Sequence, residues 1–112
     1  MLYLSIALFA ISAVLGLTIL LKWLTKKDAP RSVIYSHGIV AASALVILIV
    51  YAFQHPENFP KASIILFVVA ALGGFYMFIN DLKKKPSPMA IAFIHALVAV
   101  AGVVSLLLFI LA

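Results

Sequence analysis

The chain has no cysteine, so disulfides and thiolate-bound metals are excluded from its chemistry. Charge is almost as scarce: three Asp and Glu and eight Lys and Arg make up only 10% of 112 residues. The first apolar run contains no acid at all. That argues against a small multidrug-type transporter, which needs a buried carboxylate there for proton-coupled export. Zinc wants three or four protein ligands, and the apolar runs offer two histidines. Little chain remains outside those runs to build a soluble domain.

Apolar residues are abundant instead, at 67%, with a mean hydropathy of +1.30. No soluble domain needs this much apolar surface, so most of the chain is expected in lipid. The length suggests one domain, a single transmembrane unit over residues 1–112. The formal charge of +5 does not indicate nucleic acid. The basic residues sit in short loops between apolar runs, where they read as topology signals and phospholipid headgroup contacts. No cleavable signal peptide is expected, because the first run extends from Leu2 to Leu21 before any charge.

Four runs are visible: Leu2 to Leu24, Val33 to Phe53, Ala62 to Leu82 and Pro88 to Leu111. Each is close to the roughly 20 residues a spanning helix needs. Backbone groups in lipid must bond internally, so each run is predicted to be an α-helix. Pro30, Pro60 and Pro88 stand at or near helix starts, where a missing N–H does no harm. The short connections predict an all-α, up-down-up-down four-helix bundle. Lys22, Lys26, Lys27, Arg31, Lys83, Lys84 and Lys85 fall on one side and Lys61 on the other. The excess of basic residues places that side in the cytoplasm. Both termini are then expected outside, in a bacterial inner membrane. Trp23 fits the inner interface, and Tyr3 and Tyr51 the outer one.

A shift of 58 residues overlays the first two runs on the last two without a gap. It defines a repeat A over 1–54 and a repeat B over 59–112. Ser5 meets Ser63, Phe9 meets Phe67, Gly16 meets Gly74, Pro30 meets Pro88, and His37 meets His95. Lys26-Lys27 meets Lys84-Lys85, and Ala44 meets Gly102. Each repeat has an even number of spans, so a pseudo-two-fold axis along the membrane normal is expected. Helices two and four would then face each other across a diagonal of about 11–14 Å, given neighbours about 8–10 Å apart.

Histidine is costly in hydrocarbon, and in a span it is a functional-site hypothesis by default. His37 lies six residues inside Arg31, Gly16 six inside Lys22, and Gly74 six inside Asn80. At 1.5 Å per residue these sit about 9 Å below the helix ends. Two imidazoles and two glycines in one layer suit a flat macrocycle held between axial histidines. Haem b, with His37 and His95 as iron ligands, is the expected cofactor. Gly16 and Gly74 would clear its edge, and Ala41, Ala44, Ala99 and Gly102 would line its apolar side. Arg31, with Lys26, Lys27, Lys84 and Lys85, is within reach of the propionates, although topology alone demands lysines there. Tyr35, Ser36 and Tyr76 are either partners of the histidines or packing residues. His55 lies in the outer loop and is expected to be solvated.

Four spans with inward histidines on opposed helices resemble the membrane-anchor cytochromes b of respiratory enzymes. The likeness rests on His37, His95, Gly16 and Gly74. Larger members of that family hold two haems with four ligands, and two span histidines here allow one. The resemblance implies an electron carrier rather than a stand-alone enzyme, with a quinone or a respiratory redox partner and homo-oligomers both open. The bland alternative is a non-catalytic structural or assembly subunit of a larger membrane complex, its histidines serving packing alone.

Overall fold

The computed structural model describes residues 1–112. It is all-α, with helices α1 (Leu2–Leu24), α2 (Arg31–Gln54), α3 (Lys61–Leu82) and α4 (Met89–Leu111). All four are long and apolar enough to cross a membrane. The hydropathy runs locate each helix, and observed ends differ from the expected ones by at most two residues. Pro30, Pro60 and Pro88 are the residues just before α2, α3 and α4. None of the four helix starts has a side-chain cap. At Pro30 the carbonyl accepts from Val33 and Ile34 N–H, so the ring's missing donor costs nothing.

Two compact units divide the chain, Met1–Phe59 and Pro60–Ala112. The first is the α1–α2 hairpin and the second the α3–α4 hairpin. In the first, Ser5, Phe9, Ser12 and Ile19 are buried and Gly16 is half-buried. They recur in steps of four and three, which keeps one helix face on its partner. Ala44 and Leu48 are fully buried on α2. Ser5 bonds Ala44 while Ser12 bonds His37, so α1 residue numbers rise as α2 numbers fall, the antiparallel register of a hairpin.

In the second unit the buried α3 residues are Ser63, Phe67, Ala70 and Met77, again in steps of four, three and seven. Ala92, Gly102 and Leu106 are buried on α4. Apart from Ala92, each of these stands 58 positions beyond a buried residue of the first unit.

Both hairpin turns are built the same way. Lys26 and Lys84 are left-handed, with φ of 59° and 55°. Lys26 N–H bonds the Trp23 carbonyl, and Lys27 N–H reaches back to Lys22 at 2.8 Å. Lys84 N–H bonds Asp81, and Lys85 N–H reaches back to Asn80, also at 2.8 Å. This double return satisfies carbonyls left open at a helix end, and the left-handed residue is usually glycine. A lysine there costs about 1–2 kcal/mol.

Candidate functional site

The two span histidines are each turned into their own hairpin. His37 comes from the second turn of α2 and lies against α1. Its Nδ1 is 2.7 Å from the Ser12 carbonyl oxygen. A carbonyl only accepts, so the proton sits on Nδ1. The Ser12 hydroxyl, 3.0 Å from the same nitrogen, donates to the His37 carbonyl at 3.2 Å. Side chain and main chain of the two residues thus bond reciprocally across the seam.

His95 repeats the arrangement on α4. Its Nδ1–H donates to the Ala70 carbonyl, again at 2.7 Å. Donor and acceptor residues are separated by 25 positions in both hairpins. Ala70 has no hydroxyl, so the second hairpin lacks the reciprocal bond. In each ring the neutral form then leaves the lone pair on Nε2.

The glycines explain how an imidazole reaches a helical carbonyl. A Cβ on Gly16 would lie 2.8 Å from Cε1 of His37 and 3.2 Å from its Nδ1. One on Gly74 would lie 3.2 Å from Cε1 of His95. Each glycine follows the accepting carbonyl by four residues, the position that stands over it on the helix surface. Without a side chain there, the carbonyl is open to the ring. Histidine and glycine therefore share a layer, as their equal depth predicts, and the room over each glycine is taken by the histidine of the same hairpin.

The remaining candidates have separate places. Ala44 is fully buried, and its carbonyl accepts from Ser5 at 3.0 Å. Gly102 faces Phe67, whose Cε1 would be 2.8 Å from an added Cβ. Ala41 and Ala99 are half-buried. Arg31 opens α2 and is exposed. Tyr35, Ser36 and Tyr76 lie on exposed faces, and Nδ1 of each seam histidine bonds a main-chain carbonyl. His55 is exposed at the end of α2, where it stacks on Tyr51 with ring centroids 4.0 Å apart.

Ser12 and Ala70 are the partners of the histidines that sequence reading misses. They contribute carbonyls, so their side chains carry no common signature. The available signal is their position four residues before each glycine. No group of three or more His, Asp or Glu side chains converges as a metal cluster. Comparison with protein-family models, curated proteins and solved structures finds no match.

Proposed function

We propose that this protein is a small membrane cytochrome in which His37 and His95 ligate the iron of one haem b. The observation that supports this most is the Nδ1–H bond of each imidazole to a main-chain carbonyl. Metal-ligating histidines characteristically donate the other ring N–H in this way, which fixes the tautomer and strengthens the ligand. The donor set fits iron: two imidazoles, each with its Nδ1–H bonded to main chain, in an apolar setting. Clearance is not the support, because Gly16 and Gly74 seat the imidazoles and Gly102 seats Phe67. When bound, haem supplies a one-electron couple. Ser12 and Ala70 would keep each proton on Nδ1 and hold each ring against rotation. His37 and His95 would both hold the iron, and the chemistry supplied there would be electron transfer rather than oxygen binding.

Under this reading the hairpins are two copies of one unit related by a pseudo-two-fold along the membrane normal. The chain lies in a bacterial inner membrane with both termini outside. Its redox partner is a quinone or a respiratory protein, and lipids surround it. A structural or assembly subunit is the second reading. The packing of each imidazole onto a glycine of its own hairpin favours it, since that contact needs no cofactor.

The absorption spectrum of the purified protein separates the two. A Soret band with split α and β bands on reduction is expected, lost or weakened to a five-coordinate form in His37→Ala and His95→Ala. Colourless protein after expression with ample haem, or variants with unchanged haem content, would leave the histidines as packing residues.

A further inference from the structure

The two hairpin turns share a backbone but differ in charge. In the first, the 2.8 Å bond from Lys27 N–H to the Lys22 carbonyl folds the chain back over the last turn of α1. Beside it lies an open cleft of about 290 Å³ lined by Thr18, Leu21, Lys22, Thr25 and Lys27. Its wall is therefore part apolar and part cationic. The threonine hydroxyls already donate to main-chain carbonyls of Val14 and Leu21. The donors that carry charge are the two lysines. From Lys22 to Arg31 the chain has four basic residues and one acid, Asp28.

At the second turn Asn80 stands where Lys22 stands in the first, and Lys85 N–H folds back onto it. The Asn80 amide donates to Ser87 Oγ at 3.3 Å, tying α3 to the start of α4. That turn also has three lysines, Lys83, Lys84 and Lys85, but none at the register of Lys22, so no ammonium on the last turn of the helix faces the one that folds back.

We propose that the cleft at the end of α1 binds the phosphate of an anionic phospholipid between Lys22 and Lys27. Leu21 lies along the upper acyl chain. The helix is long and apolar enough to cross a membrane, and the cleft is at its charged end, the depth of a headgroup. Juxtamembrane lysines attract anionic lipid, and a phosphate accepts charge-assisted bonds from ammonium groups. This inference does not depend on the haem reading.

Trp23, the single tryptophan, follows Lys22 in the last turn of α1 and is half-buried, so its fluorescence reports on lipid at this end of the helix. The full chain in vesicles of phosphatidylcholine and phosphatidylglycerol, with one or the other lipid brominated on its acyl chains, measures which lipid sits beside it. Quenching by brominated phosphatidylglycerol should indicate an enrichment of about five- to tenfold over its bulk fraction. Lys22→Gln with Lys27→Gln should return it close to the bulk fraction. Lys84→Gln with Lys85→Gln, which removes the same charge from the other turn, should leave most of the enrichment. Equal quenching by the two lipids in the wild type would overturn the proposal. So would an equal loss in both double variants, which would mean general charge attraction. Loss of enrichment in millimolar inorganic phosphate at constant ionic strength would identify a free-phosphate site and also overturn it.

Discussion

An alanine methyl at position 16 would stand 2.8 Å from the His37 ring, whereas at position 74 the closest approach to His95 is 3.2 Å. The first distance forces the ring to move, and the second asks for a few tenths of an ångström. Gly16→Ala should therefore cost about 1–3 kcal/mol and Gly74→Ala less than about 1 kcal/mol. Gly38→Ala, with nothing within 4 Å of the new methyl, should be neutral or slightly stabilising. Unfolding by denaturing detergent would rank the three, and imidazole ¹⁵N shifts would show whether His37 has lost its carbonyl. The left-handed lysines make the opposite prediction. Lys26→Gly should stabilise the first turn by about 1 kcal/mol, because glycine meets no steric penalty at φ 59°. No gain in unfolding midpoint would contradict it. The shared depth of Gly16 and His37 is readable by counting inward from Lys22 and Arg31. The direction of the ring is not. Depth along a helix says nothing about which neighbour a residue meets, and the bonding groups of Ser12 and Ala70 are main-chain atoms that any residue would supply.

At the scale of the helix pair, the two hairpins use the same buried positions with different chemistry. Ser5 on α1 donates to Ala44, while its counterpart Ser63 on α3 is buried with its hydroxyl unpaired. An unpaired buried hydroxyl keeps its desolvation cost and returns nothing. Ser5→Ala should lower stability by about 0.5–1 kcal/mol, and Ser63→Ala should cost nothing or raise it. The same detergent titration compares them, and equal losses would mean that Ser63 has a partner. The acceptor side differs too. Gly102 replaces Ala44 at the register where Phe67 packs, and a methyl there would meet the ring at 2.8 Å. The four helices and their turns are legible because lipid leaves the backbone one solution, and charge marks its ends. Which small residue receives which side chain is decided by tenths of an ångström, below what hydropathy or spacing encodes.

For the molecule as a whole, lateral surface is the dominant feature. At most 22% of each helix's most apolar window is buried, so most of every helix offers apolar side chains beyond its own hairpin. Seven of the eight basic residues lie at the two hairpin turns or the helix ends beside them. The expected orientation puts these turns in the cytoplasm. Single cysteines at positions 27 and 84 should resist a membrane-impermeant thiol reagent in intact cells and react once the membrane is opened. Labelling of both in intact cells would reverse the orientation.

The reach of the histidine bonds also sets an order in time. The acceptor of His37 is Ser12, and that of His95 is Ala70, each 25 residues earlier in the chain. A ribosome makes the acceptor helix first, so each imidazole emerges with its partner already synthesised. The bonds from Ser5 to Ala44 and from His37 to Ser12 are both closed within the first 59 residues. The first hairpin can therefore close these bonds in the bilayer while the second is still being translated.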